Sequence, residues 1–419
     1  MWLCDLPGHR QITEGKTDAM TAPTYTDPNT PGAAKQGNAK QPVMYRPFKV
    51  GVQEMDDEAY DQSKTLTATT QNMPQYEAPS TAFLRGFHLL VENAVTTSTA
   101  TAVATGTGVG VLSENGPYNV LDQIIFTDTN NSEILGPING FDLSIISKWG
   151  GYSFNDDMEG DSNLFSSTSN ATASSTASGS FRFMLYIPVE IVARDALGVL
   201  PNKSASTPFK VKIQIAPIAT VYTNSATVGG SLRIRIFPDS YWEPTPNDGN
   251  GNAVANQPPG VNTTQYWNVT QYTLNSGAQS PLLNNSVGYP VRHLGFIYTD
   301  TANSRAVGEG NFPDNFKLQL QSNIMLDRPK LYWQWKMGRK YGYKVKGDAA
   351  GQIENGLYWQ DYCHDFYGKP GWETRRGYLR TTDGMRLSAK GTFGAAGNLI
   401  VYTNYIGVGK GSSLAALTS

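Results

Sequence analysis

Apolar side chains in this chain fall mostly on every second residue. Between Pro208 and Ile218 they occupy Phe209, Val211, Ile213 and Ile215, the spacing that lines one face of a β-strand. Leu232–Phe237 repeats the pattern with Arg233 and Arg235 on the opposite face, and Phe316-Lys-Leu-Gln-Leu-Gln321 does so again. Longer apolar runs, Ala82–Val91 and Phe181–Val192, predict further strands. A different period appears at Phe141, Ile145 and Trp149, whose helical spacing predicts a short helix within Asn139–Trp149. Thr96–Gly110 suits a loop or a weak strand, and the Ser/Thr-rich Ser162–Ser180 predicts a long exposed loop. The pattern as a whole is all-β, with short helices in loops.

The chain also echoes itself. Ile124-Ile-Phe-Thr-Asp-Thr-Asn-Asn-Ser132 and Phe296-Ile-Tyr-Thr-Asp-Thr-Ala-Asn-Ser304 agree at six of nine positions, and two more are conservative. Each passes from strand-type residues into Asp, Thr, Asn and Ser, whose short polar side chains bond nearby backbone and favour turns. A second echo pairs Gly230-Ser-Leu-Arg-Ile-Arg-Ile-Phe237 with Gly397-Asn-Leu-Ile-Val-Tyr402. The two echoes are offset by 172 and 167 residues. An aromatic-rich strand candidate precedes each nine-residue copy, Phe83–Val95 and Gln265–Leu274, so a duplicated β unit is expected.

Pro244–Gly260, with its Pro, Asn and Gly clusters, is the clearest boundary. The expected division is an extended amino-terminal arm (1–81), a first unit (82–244), a linker (245–262), a second unit (263–408) and a short tail (409–419). The arm carries Pro, Gly, Asn, Gln and Thr without sustained periodicity. Such a composition cannot bury enough apolar surface to offset its ordering entropy unless it docks elsewhere. Its charge is divided: Lys35, Lys40, Arg46 and Lys49 precede Glu54, Asp56, Asp57, Glu58 and Asp61.

Composition narrows the function. Charged residues are 16% and aromatics 11%, with 42 glycines, which suits turn-rich β structure better than helices. A formal net charge of −2 gives no global drive toward nucleic acid or anionic membranes. The opening residues lack the apolar core of a signal peptide, and two cysteines, Cys4 and Cys363, cannot staple a chain this long.

Candidate chemistry is sparse. Asp361-Tyr-Cys-His-Asp365 gathers a thiol, an imidazole and two carboxylates. Neighbours along a strand point to opposite faces, so Cys363 and His364 are expected as a packed thiol and a hydrogen-bonded ring. The four histidines and two cysteines lack the paired spacing of a zinc site. Asp156-Asp-Met-Glu-Gly-Asp161 lacks the alternation of a calcium loop and is expected as an acidic surface loop. Neither cofactor nor catalysis is expected. Seven cations, Arg328, Lys330, Lys336, Arg339, Lys340, Lys344 and Lys346, crowd an aromatic-rich stretch. They suit a phosphate-facing patch, a subunit contact or a solvated face. Within it, Gly338-Arg-Lys-Tyr-Gly-Tyr-Lys-Val345 only partly matches an RNA-binding strand, and no sequence-specific nucleic-acid binding is expected. Trp242, Trp267, Trp333, Trp335 and Trp359 keep open a carbohydrate-binding or glycan-cleaving sandwich protein as an alternative.

Two such units fit tandem jelly-roll β-barrels or sandwiches. Four features carry a more specific likeness: Phe83-Leu-Arg-Gly-Phe-His-Leu-Leu-Val91, the paired Thr-Asp-Thr turns, Asp195-Ala-Leu-Gly-Val-Leu-Pro-Asn202, and Thr382-Asp-Gly-Met-Arg-Leu387 before the last strand. With them the sequence resembles the double jelly-roll major capsid proteins of tailless icosahedral double-stranded DNA viruses, such as the tectivirus-like bacteriophages, over about residues 82–408. The resemblance implies a non-enzymatic homotrimer forming pseudo-hexagonal capsomers of an icosahedral virion shell around an internal membrane. It implies neighbouring capsomers, penton or vertex proteins and minor capsid proteins as partners, with assembly in the host cytoplasm. It also implies that the arm lies at the shell's inner base, where Lys35, Lys40, Arg46 and Lys49 face neighbours or lipid. A minor vertex or spike protein of the same virion is a further alternative.

Overall fold

The alternating segments are strands in the computed structural model. It describes residues 44–94, 111–152, 165–169, 179–223, 231–247, 251, 253–256, 263–283, 289–341, 356–366, 373–374, 376–382 and 384–408. The first half contributes β1 (Tyr60–Thr65), β2 (Gln71–Asn72), β3 (Tyr76–Glu77), β4 (Phe83–Ala94), β5 (Leu121–Thr127), β6 (Glu133–Ile138), β7 (Gly179–Pro188), β8 (Lys210–Ile215) and β9 (Ser231–Tyr241). The second contributes β10 (Thr263–Leu274), β11 (Gly277–Gln279), β12 (Val291–Asp300), β13 (Asn315–Leu320), β14 (Asn323–Pro329), β15 (Leu357–Asp361), β16 (Leu387–Phe393) and β17 (Gly397–Val408). Helix α1 (Gly140–Trp149) follows β6, α2 (Arg305–Asn311) follows β12, and α3 (Lys330–Tyr341) follows β14.

Hydrogen bonding sorts each half into the same pair of sheets. The second half is ordered β10-β17-β12-β15 and β11-β16-β13-β14. The first is ordered β1-β9-β4-β7 and β2-β8-β5-β6, with β3 continuing the β2 position along β8. Numbered by position, both halves read 1-8-3-6 and 2-7-4-5, the two Greek-key sheets of a jelly roll. The chain is a pair of tandem jelly rolls, as expected.

This register shifts the expected boundaries. The first roll begins at β1, so Tyr60–Glu77 is woven into its sheets instead of lying in an arm that ends at residue 81. Glu54–Asp56 also pairs with β9. Their periodicity is faint because they sit at sheet edges: in β1 only Tyr60 and Lys64 are half-buried and the other four residues are exposed. Inside the expected linker, Val254–Asn256 runs parallel to Met44–Arg46. Phe165–Ser169 pairs with β7, so part of the expected exposed loop is a strand. Backbone pairing needs no apolar side chains, which is why a Ser/Thr run can take it. Thr96–Gly110 and Asp156–Asp161 lie outside the described residues.

The nine-residue echo marks a shared turn rather than a shared place. Its first copy ends β5, at position four, and its second ends β12, at position three; likewise β4 is position three and β10 position one. The closing strands β9 and β17 are true counterparts. At the turns, Asp128 Oδ1 accepts the N–H groups of Asn130 and Ser132 at 2.8 Å each. Asp300 Oδ1 accepts those of Ala302 and Ser304 at 2.9 and 2.7 Å. Asn131 and Asn303 both turn left-handed, at φ 61° and 63°, a conformation Asn tolerates.

The rolls join edge to edge. β6 runs parallel to β10 through Leu135 and Trp267, so one sheet crosses from roll to roll. Buried apolar side chains of the two rolls form one continuous cluster.

Candidate assembly surfaces

Helices α1 and α3 hold the same place in their rolls, between positions five and six. Asn139 caps α1, accepting the Asp142 N–H at 2.8 Å, while the Asp142 carboxylate accepts the Asn139 N–H at 3.4 Å. Gly140 opens the helix because a Cβ there would lie 2.1 Å from the Tyr118 carbonyl oxygen. All ten residues of α1 are buried, Lys148 included. One side packs on β7, where Ser147 Oγ bonds both the N–H and the carbonyl of Tyr186 at 3.2 Å. The other side meets the second roll. Tyr402 donates its hydroxyl to Asp142 Oδ1 at 2.6 Å, Trp149 packs edge-on against Tyr341, and the Arg305 guanidinium lies over Phe141. Burial lifts the Asp142 carboxyl to about 6, against the opposing pull of the Tyr402 hydrogen bond.

Elsewhere the seam is polar and buried. Gln265 of β10 donates to the carbonyls of Val189 (3.2 Å) and Glu190 (3.0 Å) and accepts the Tyr152 hydroxyl at 3.0 Å. Arg292 Nη1 donates to the Tyr152 oxygen at 3.1 Å, and its Nη2 and Nε donate to Glu373 Oε2 at 2.7 and 2.9 Å. Arg292 and Glu373 are both fully buried. Glu373 also accepts from the Cys363 thiol at 2.9 Å and from the Tyr378 hydroxyl. Burial, reinforced by the Glu373 charge, pushes the thiol well above its ordinary value, which suppresses the nucleophilic thiolate. His364 is exposed while Cys363 is buried, so the chain turns them apart. His293 is fully buried against Trp267 and Phe366, and burial with the Arg292 charge keeps its ring neutral.

Helix α3 buries only Trp333, Met337 and Tyr341, an i, i+4, i+8 stripe. Its outer face carries Leu331, 79% exposed, and Trp335, 56% exposed, with Tyr332 stacked on Trp335 at 6.0 Å. Strand β14 ends its sheet and adds Ile324, 59% exposed, and Met325.

The structure divides the predicted cations. Lys330 Nζ donates to the Glu309 carbonyl at 3.1 Å, and Lys340 bonds Asp361 and the Cys363 carbonyl. Arg328 donates to Gln360 Oε1 at 2.7 Å. Arg328, Lys336 and Lys340 line one recess of about 50 Å³, while Arg339 is exposed and lies over the Trp335 ring. Burial, with Arg328 and Lys340 nearby, lowers the Lys336 pKa. Lys344 and Lys346 lie outside the described residues, as do Lys35 and Lys40. Arg46 is tied to Asn256 (3.0 Å) and Thr245 (2.7 Å), and Lys49 to Glu54 (3.3 Å) and Tyr241. The stretch from Gly338 is helical through Tyr341, not a strand. Trp267, Trp333 and Trp359 are core residues, leaving only Trp242 and Trp335 of the five candidates exposed, so the five do not form a sugar-stacking platform. Among the described residues, no group of three or more His, Cys, Asp and Glu is placed to hold a metal.

One half-buried charge cluster gave no sequence signal beyond a lone Arg in an apolar strand. Arg85 of β4 pairs with Glu190 and Asp239 at 3.0 Å each, and Tyr241 donates to Glu190 at 2.9 Å. It braces the first roll where Val189 and Glu190 also receive Gln265.

No protein-family model matches the sequence, and no curated protein matches it. Solved structures do match. The STIV MCP, a major capsid protein, aligns at 11% identity over 85% of this chain and 97% of that one, with a TM-score of 0.56. The atomic structure of Sulfolobus Turreted Icosahedral Virus aligns at 11% identity over 86% and 94%, at 0.54. PBCV-1 VP54, fitted into a reconstruction of the virophage Sputnik, aligns at 9% identity over 89% and 98%, at 0.52. This chain has the double jelly-roll fold of viral major capsid proteins.

Proposed function

We propose that the chain is a structural subunit of an icosahedral viral shell, its major capsid protein, acting as a homotrimer. The observation that carries this reading is the match of both rolls together to solved capsid chains over most of either length. Duplication supports the trimer. Two like rolls joined edge to edge in each of three chains make six similar bodies around one axis, a shape that tiles a hexagonal lattice. The buried thiol, imidazole and carboxylates of the seam bond or pack against one another, which is scaffolding chemistry. The same proposal places the amino-terminal arm, with Lys35 and Lys40, at the inner base of the shell beside neighbouring capsomers, minor or vertex proteins and an internal membrane. Repetition over a lattice would multiply each weak lysine–lipid contact.

Light-scattering mass after size exclusion, at several concentrations, tests the core of this reading. A stable species near three copies of the 45.6 kDa chain is expected. A monomer at every concentration would sink the proposal. Lipid extraction from purified particles tests the membrane separately, and lipid-free particles would remove it.

A further inference from the structure

We propose that the recess between α3 and β15 binds a phosphate group, held by Arg328, Lys336 and Lys340. The inference stands apart from the capsid reading, since the site lies within one chain and needs no second copy.

Three elements bring the lining together. Arg328 comes from the end of β14, and Lys336 and Lys340 lie four apart on α3 and so share a helix face. Asp361 of β15 is the one carboxylate among the lining residues, and it is already engaged: Lys340 bonds its Oδ1, and the Tyr341 hydroxyl donates to its Oδ2 at 3.1 Å. Arg328 donates to the neutral amide oxygen of Gln360 and lies over the Trp333 ring. Lys336 makes no hydrogen bond or ion pair with any described residue. Three cations against one carboxylate leave two positive charges uncompensated.

That crowding costs energy. Burial makes both Arg328 and Lys336 harder to keep charged, and the neighbouring Arg328 and Lys340 lower the Lys336 pKa further. Trp333, Met337 and Trp359 wall the recess with buried side chains, so water screens the cations poorly on that side. Acceptors are also lacking. The Trp359 indole N–H is buried without a hydrogen-bond partner among the described residues, and so is the Tyr362 hydroxyl in the field of Arg328. An oxyanion answers both the excess charge and the shortage of acceptors. The recess of about 50 Å³ is several times the roughly 10–15 Å³ that one water requires, which suits a tetrahedral oxyanion. A dianion matches the charge better than a carboxylate, and the cationic lining repels metal ions. Free phosphate and the phosphate head group of a lipid share this chemistry.

The test uses the full chain and inorganic phosphate at constant ionic strength. Titration calorimetry should show saturable binding, and the melting midpoint should rise with phosphate, while acetate should do neither. Lys336→Gln should weaken phosphate binding by about tenfold or more, and Lys336→Arg should largely preserve it. Arg339→Gln, on the outer face of the same helix, should leave it unchanged. Without phosphate, Lys336→Gln should melt no lower than the parent, because it removes a like charge from the crowd; this separates lost binding from lost fold. Vesicles with and without phosphatidic acid distinguish the sources. Lys336-dependent retention on the acidic vesicles, without uptake of the free ion, would assign a lipid head group, and uptake of the free ion alone would assign phosphate itself. A chain that takes up neither, acetate that binds as tightly, or binding that Arg339→Gln weakens as much as Lys336→Gln would overturn the site.

Discussion

Helices α1 and α3 hold one place in two copies of one fold, yet all ten residues of the first are buried and only three of the second. Local chemistry follows that difference. In α1, Ser147 bonds the β7 backbone and Gly140 lies close against the Tyr118 carbonyl. In α3, Lys, Gln and Arg share the helix with Tyr332 and Trp335, which stack on one another and stay exposed. Position within the roll decides where a helix forms, and the packing on both of its sides, from its own roll and from the other, decides how much of it is covered.

Substitutions can break this comparison, and the largest effect should come from the seam that covers α1. Glu373→Ala leaves the Arg292 charge buried without its carboxylate, and denaturant unfolding should show a loss of about 3–5 kcal/mol. Trp149→Ala, which empties the fully buried end of α1, should cost about 3 kcal/mol or more in the same assay. Trp335→Ala on α3 should change the stability of the lone chain by no more than about 0.5 kcal/mol. Similar losses at Trp149 and Trp335 would erase the distinction between the helices.

Asp142 sharpens the comparison through pH. Its carboxyl titrates near 6 in the fold against 3.8 for the free group, so the folded chain holds the extra proton between those values. The charged carboxylate therefore costs stability that is fully felt above about 6 and relieved as pH falls toward 3.8. Relative to the parent, Asp142→Asn should gain stability as pH rises from about 4 to about 6, and a flat difference would contradict the buried charge. A more modest effect than the seam's belongs to the twin turns. Asp128→Ala and Asp300→Ala should each cost about 1 kcal/mol, and nearly equally, because each removes two like hydrogen bonds from the same geometry.

The strands with one apolar face, β8, β9 and β13, were legible because burial on one side imposes a period of two. The helix α1 was legible from Phe141, Ile145 and Trp149, although its remaining faces are buried as well. Edge strands β1 to β3 were not legible, because a strand held mainly by its backbone needs no apolar period. The repeat was visible but out of register: Asp and Asn at a turn recur for local reasons, wherever a strand must reverse. Of the candidate surface, the cations of α3 were visible as a cluster. Their separation into a recess, an inward bond and an outer face depends on which side of a helix each residue occupies. The Arg292–Glu373 pair was invisible, since its members are 81 residues apart and meet only when the second roll is folded.

The polar seam carries a consequence for shape. Greasy surfaces can slide over one another by an ångström with little change in energy, whereas an amide clasping two carbonyls of the other roll, and a guanidinium fixed by Glu373 of its own roll onto Tyr152 of the other, tolerate almost no shear. Tyr152, Gln265, Arg292 and Glu373 therefore act as a carpenter's mitre, cutting the angle at which one half of the molecule meets the other. Any closed figure built from such pieces inherits that angle, and an error at this one corner would be multiplied at every vertex of the polygon.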